Sequence, residues 1–193
     1  MIRPAALLLL LSLAGCATQG PAPAVPKDAP TAATAAAQQA FATEGRISVR
    51  YGEQSLSGKF AWNHSTLRDE LSLASPLGNQ LAQIVRDGSG VQLINSRQER
   101  FTAPDVESLT QAQLGWRLPL AGLTDWVRGR PQGAAAQVQK DEAGRLLQLK
   151  EAGWVIDYSY AGTAALPQRL ILNYPPAEQA LEIRLVLDSW DAR

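Results

Sequence analysis

From Thr43 onward, apolar and polar residues alternate along the chain. Ile47, Val49 and Tyr51 are separated by Ser48 and Arg50, and Leu56, Gly58, Phe60 and Trp62 by Ser57, Lys59 and Ala61. Leu67, Asp69, Leu71 and Leu73 then share one face, opposite Arg68, Glu70 and Ser72. A period of two is that of a strand, whose successive side chains point to opposite sides of a sheet. Three half-apolar segments with short polar breaks between them predict an antiparallel meander. Weaker strands follow at 80–86, 90–95 and 98–102, with Asp87-Gly88 as a turn.

The period then changes. Val106, Leu109 and Leu114 keep helical spacing, and Leu120, Leu123, Trp126 and Val127 fall at i, i+3, i+6 and i+7 before Gly129 and Pro131 stop the helix. Alternation returns in a short strand near 135–140, at Leu147 and Leu149, and at Trp154, Ile156, Tyr158 and Tyr160. It continues through Leu170 and Leu172, then Leu181, Ile183, Leu185 and Leu187. Six strands precede the helical segment and five follow it. The expected fold is mainly β: an unclosed antiparallel β-barrel of about 11 strands, with two or three α-helices covering an apolar cavity. Candidates to line that cavity are Phe60, Trp62, Leu71, Leu73, Leu93, Leu149, Ile156 and Leu185, any of which serves equally well as dry core. Ser75-Pro76-Leu77-Gly78-Asn79 reads as a tight turn, with Pro fixing φ and Gly supplying a permissive position, so Leu77 is expected at an exposed tip.

The N-terminal region follows neither period. Arg3 precedes a nine-residue stretch, 5–13, that is apolar except for Ser12 and reaches about half the length of a membrane-spanning helix. Residues 1–15 are therefore expected to be a signal peptide. Leu13-Ala14-Gly15-Cys16 is similar to the lipobox of bacterial lipoproteins, and Cys16 is the one cysteine of the chain. The likeness implies lipidation of Cys16, and Ala17 in place of Asp implies the outer membrane. Residues 16–40 are expected to be a lipidated, Ala/Pro-rich tether. Its proline-rich part, 17–30, would extend roughly 40 Å, and 31–40 forms a candidate short helix capped by Thr31 or Thr34. Residues 41–193 are the expected barrel domain.

Charge and chemistry narrow the function. Eighteen basic and eighteen acidic residues, with a pI near 6.6, leave no electrostatic footprint for nucleic acid. One Cys and one His rule out a disulfide framework and a Cys/His metal site. There is no Gly-rich phosphate loop and no G-x-S-x-G elbow, so neither a cofactor nor an enzymatic activity is expected. His64 reads as an exposed turn residue, and Asp69/Glu70 and Asp141/Glu142 as solvated edges.

The ordered motifs carry a resemblance. After the lipobox come Gly45-Arg46-Ile47-Ser48-Val49, Ser57-Gly58-x-Phe60-x-Trp62 and Ser75-Pro76-Leu77-Gly78. Leu118-Pro119-Leu120, Leu123-x-x-Trp126-Val127-Arg128-Gly129-x-Pro131, Gly153-Trp154, Leu166-Pro167, Leu181-x-Ile183-x-Leu185 and Trp190 follow. Over about 150 residues the chain resembles the LolB family of outer-membrane lipoprotein receptors. The resemblance implies an unclosed eleven-stranded barrel without catalytic turnover. It also implies a protein that accepts lipoproteins from a periplasmic carrier, binds their acyl chains in the cavity and inserts them into the outer membrane. Carried over to this chain, the membrane-inserting residue is Leu77. The expected partners are the carrier, cargo acyl chains and outer-membrane lipid, with the chain acting as a monomer on the periplasmic face. An unrelated lipid-binding or assembly lipoprotein of the outer membrane, sharing anchor and hollow but not cargo, is the alternative.

Overall fold

The alternation of the sequence becomes the two faces of one sheet. The computed structural model describes residues 40–175 and 180–193. The expected signal segment, Cys16 and the tether with its candidate helix lie outside the described residues, apart from Ala40 at their edge. The strands are β1 (Phe41–Tyr51), β2 (Gln54–His64), β3 (Asp69–Ala74), β4 (Gln80–Asp87), β5 (Gly90–Asn95) and β6 (Arg100–Ala103), followed by β7 (Gln137–Lys140), β8 (Leu146–Glu151), β9 (Trp154–Ser159), β10 (Arg169–Tyr174) and β11 (Leu181–Ala192). Helices α1 (Val106–Leu114) and α2 (Leu120–Trp126) lie between β6 and β7.

All pairings are antiparallel, in the order β6-β5-β4-β3-β2-β1-β11-β10-β9-β8-β7. Two meanders thus meet through β1 and β11 at the centre. The edges, β6 and β7, do not pair with each other, so the barrel stays unclosed. The chain crosses from one edge to the other through the helical segment, which contributes Val106, Leu109, Leu118, Leu120, Leu123, Trp126 and Val127 to the same buried cluster as the inward strand residues.

Local chemistry explains the helix ends. Asp105 caps α1 by accepting from the Ser108 amide at 2.7 Å, and Gly115 closes it in the left-handed conformation at φ 85°. Thr110, fully buried, donates to Val106 O and accepts from the Leu118 amide, which ties the link between the helices to α1. In α2, a Cβ at Gly122 would collide with the ring of Trp126 one turn on, so glycine makes room for that indole.

Three bulges re-aim the strands, and they account for where the plain alternation goes astray. At β7–β8, Gln139 pairs with Gln148 and Lys140 with Leu146, leaving Leu147 as the extra residue. Leu146 and Leu149 are consequently buried and Leu147 turns outward, whereas uninterrupted alternation puts Leu147 on the same face as Leu149. Leu67 departs from its expected inward face because it lies in the 65–68 turn before β3. The β1–β11 bulge leaves Asp188 unpaired opposite Glu44/Gly45, and the β3–β4 bulge lies at Leu73/Ala74. Beside them a Cβ at Gly45 would strike the Val186 carbonyl, and one at Gly58 the Ala74 carbonyl. That is the physical reason for glycine inside strands otherwise rich in larger residues.

Candidate functional site

The eight cavity candidates are all buried on the inner face: Phe60 and Trp62 on β2, Leu71 and Leu73 on β3, and Leu93, Leu149, Ile156 and Leu185 on β5, β8, β9 and β11. They share one continuous apolar interior with the helical segment, whose side chains fill its centre. Open space lies at the rims of the helices. A cleft of about 1040 Å³ separates α1 and α2 from the β4–β6 side and is lined by His64, Arg86, Val91, Val106, Gln111 and Leu120, among others. A second, of about 320 Å³, lies on the other side, lined by Tyr51, Pro119, Gly122, Trp126, Trp154 and Tyr174 among others. A third, of about 490 Å³, reaches Val49, Leu56, Leu73 and Trp116. Leu73 alone of the eight borders one of these clefts; the other seven line none of the three.

The helical segment is held down at two places. Glu151, at the end of β8, accepts from Trp126 Nε1 at 2.8 Å and from the amides of Gln132 and Gly133. Burial opposes its charge, but these donors hold its carboxyl below the usual range. On the other side the Arg128 guanidinium lies 4.8 Å from the centre of the Phe41 ring. Neither Glu151 nor this contact is legible from periodicity. The one available signal was an acid at the end of an apolar strand beside the Ala152-Gly153 turn.

At the rim of the large cleft is an ionic row built on one buried carboxylate. Register places His64 opposite Asp69 and Asp69 opposite Arg86. The Asp69 carboxylate, 1% exposed, accepts from Trp62 Nε1 at 2.9 Å and Arg86 Nε at 2.7 Å, and meets His64 Nδ1 at 2.7 Å. Arg86 adds a second contact to the same carboxylate through Nη2. Burial alone would raise the Asp69 pKa; hydrogen bonds from His64, Arg86 and Trp62 outweigh it and keep the carboxyl ionised below the usual range. His64 is therefore not an exposed turn residue, and its ring packs against Phe41 at 4.9 Å. Asp69 is not a solvated edge either. Glu70 does face outward, bonded by Gln83, and Asp141 closes the outer turn before β8 by accepting from Arg145 at 2.8 Å. Among the described residues the buried Tyr158 hydroxyl has no hydrogen-bond partner, and burial pushes its pKa well up.

Leu77 is 90% exposed. Its turn is fixed by Ser75 N to Asn79 O at 2.8 Å, Gly78 N to Ser75 O at 2.9 Å and Asn79 N to Ser75 Oγ at 3.1 Å, with Gly78 at φ 92°. Residues 75–79 contain no ionisable side chain.

The unclosed antiparallel barrel crossed by a helical segment is a fold shared with a solved structure. A LolA superfamily protein of Nitrosomonas europaea superposes with a TM-score of 0.51 at 12% identity, over 81% of this chain and 87% of that one. The family profile described as outer membrane lipoprotein LolB matches residues 39–190. The outer-membrane lipoprotein LolB of Thiobacillus denitrificans is 39% identical over 95% of this chain and 94% of its own. That of Cupriavidus necator is 37% identical over 92% and 90%, and that of Chromobacterium violaceum 35% over 98% and 99%. The chain belongs to the outer-membrane lipoprotein LolB family. It is an outer-membrane, lipid-anchored protein of the lipoprotein-localisation pathway, and not an enzyme.

Proposed function

We propose that the protein receives lipoproteins from a periplasmic carrier, holds their acyl chains in the helix-covered interior and delivers them to the outer membrane through the Leu77 turn, itself anchored by acylated Cys16. The observation that carries this reading is Leu77, a large apolar side chain at the tip of a rigid turn without charges. Moving a leucine side chain from water into hydrocarbon yields roughly 1.5–3 kcal/mol, and no ionised group of that turn has to follow it. The interior supports the binding step. Phe60, Trp62, Leu71, Leu73, Leu93, Leu149, Ile156 and Leu185 form the wall that acyl chains meet once the helical side chains move aside, each CH₂ contributing about 0.8 kcal/mol. Moving the helical segment aside means releasing the Trp126–Glu151 hydrogen bond and the Arg128–Phe41 contact, neither of which belongs to a strand pairing.

Two measurements test the steps separately. Delipidated protein should bind a fluorescent fatty acid saturably in the micromolar range, about −8 kcal/mol; absence of saturable binding removes the acyl-chain step. Leu77→Glu should fold, accept cargo from the carrier and retain it in the presence of membranes. Cargo reaching the bilayer at the normal rate removes the insertion step.

A further inference from the structure

On the outer face of the sheet, a groove of about 540 Å³ lies away from the interior and its clefts. Its cations come from four adjacent strands. Register puts Lys59 opposite Arg46, Arg46 opposite Val186 and Val186 opposite Arg169; one row along, Ser48 lies opposite Arg184 and Arg184 opposite Ile171. Lys59 and Arg169 thus stand about 14 Å apart across three strand spacings, with Arg46 and Arg184 between them. All four are exposed, the floor is half-buried Val186 and Ile171, and one wall is Pro76 of the Leu77 turn.

A lysine directly opposite an arginine on one sheet face is unfavourable unless an anion offsets the repulsion. Arg46 has Asp188 at 3.0 Å and Arg184 has Glu182 at 2.9 Å, but these pairs are solvent-accessible and add little that a stronger anion must overcome. Lys59 and Arg169 form no ion pair among the described residues. Guanidinium forks beside an ammonium suit a phosphate. The wall selects the source of that phosphate: Pro76 precedes the 90% exposed Leu77, so an anion in the groove belongs to the surface this leucine approaches.

We propose that this groove takes the phosphate headgroup of an anionic phospholipid in the bilayer and thereby seats the Leu77 turn on the membrane. The proposal rests on the reading of Leu77 as the membrane-facing tip and adds the lipid class it meets and the face that docks.

The test uses the full lipidated protein in vesicles, with an environment-sensitive fluorophore on an engineered cysteine, Leu77→Cys or Ser57→Cys, the latter in the groove wall. In vesicles containing phosphatidylglycerol, both probes should report bilayer contact that weakens with salt. In pure phosphatidylcholine, contact at Ser57→Cys should be lost. Adding Lys59→Gln and Arg169→Gln, both at exposed positions, should lower the ratio of docked to undocked protein about 25-fold, and Lys59→Arg alone should keep it. Circular dichroism confirms that the variants fold. Equal contact at Ser57→Cys in both lipids, or in the double variant, overturns the proposal. So does protection of the groove by inorganic phosphate in solution without a response to phosphatidylglycerol. A groove probe that responds to phosphatidylglycerol while the Leu77→Cys probe stays in water upholds the headgroup site and overturns the tip reading alone. A Leu77→Cys probe that enters both lipids equally, with no groove response, does the reverse.

Discussion

Strand β3 ends in an exposed leucine at either side, Leu67 before it and Leu77 after it, 80% and 90% exposed. Their settings differ in charge. Leu67 adjoins Arg68, which pairs with Asp87 at 3.1 Å and Glu70 at 3.6 Å, and just beyond lies the row of buried Asp69 with His64 and Arg86. Immersing Leu67 in lipid would drag ion pairs out of water, at a cost exceeding what one leucine returns. Leu77 is flanked by Pro76 and Gly78, and its turn is held by backbone and hydroxyl hydrogen bonds. On the proposed reading, what suits the Leu77 turn to insertion and the Leu67 turn not is the absence of attached charge.

The largest effect should come from placing a charge at each tip. Leu77→Glu should slow delivery of cargo to membranes about 100-fold or more, since it forfeits the leucine transfer energy and adds the cost of burying a carboxylate. Leu67→Glu should change delivery by less than about twofold, and a large loss there would erase the distinction between the two turns. Stability should show the opposite asymmetry. Asp69→Asn should cost about 2 kcal/mol in urea unfolding because it removes the buried carboxylate that Trp62, His64 and Arg86 share, whereas Pro76→Ala should cost less than about 1 kcal/mol.

The pH dependence sharpens the same contrast. Asp69 has a lowered folded pKa, so its contribution is present in full above the unfolded carboxylate value of about 4 and is lost as pH falls through the lower folded value. The unfolding midpoint should fall in that acid window, and Asp69→Asn should flatten the fall. A variant as acid-sensitive as the parent would place the sensitivity elsewhere. A modest effect of opposite sign is expected at Tyr158→Phe, which removes a buried hydroxyl without a partner among the described residues and should raise stability by about 1 kcal/mol.

The eleven strands and both helices were legible because most inward faces keep a strict period of two or a helical spacing. Failures occurred where one residue carries information that periodicity lacks. Leu147 turns outward because a bulge inserts a residue, which no alternation announces. His64 and Asp69 read as solvent-facing because ionisable types usually are, although the alternation puts Asp69 on the side of Leu71 and Leu73. Their burial depends on Arg86, seventeen residues further on, whose placement follows from register. The Leu77 tip was legible from turn chemistry. The basic groove was not, because Lys59, Arg46, Arg184 and Arg169 come together only through the pairings of β2, β1, β11 and β10.

The central pairing of β1 with β11 has a consequence for how the molecule is made. Partners such as Ile47 and Leu185 are far apart in the chain, so closing that ladder carries the largest loop entropy of the sheet. Each meander can form local hairpins early, but neither can cover the interior alone. The two halves join only when β11 is available, after nearly all of the described chain has been synthesised. Until then the polypeptide lacks its finished core, so the last strand to emerge is the one that locks the fold.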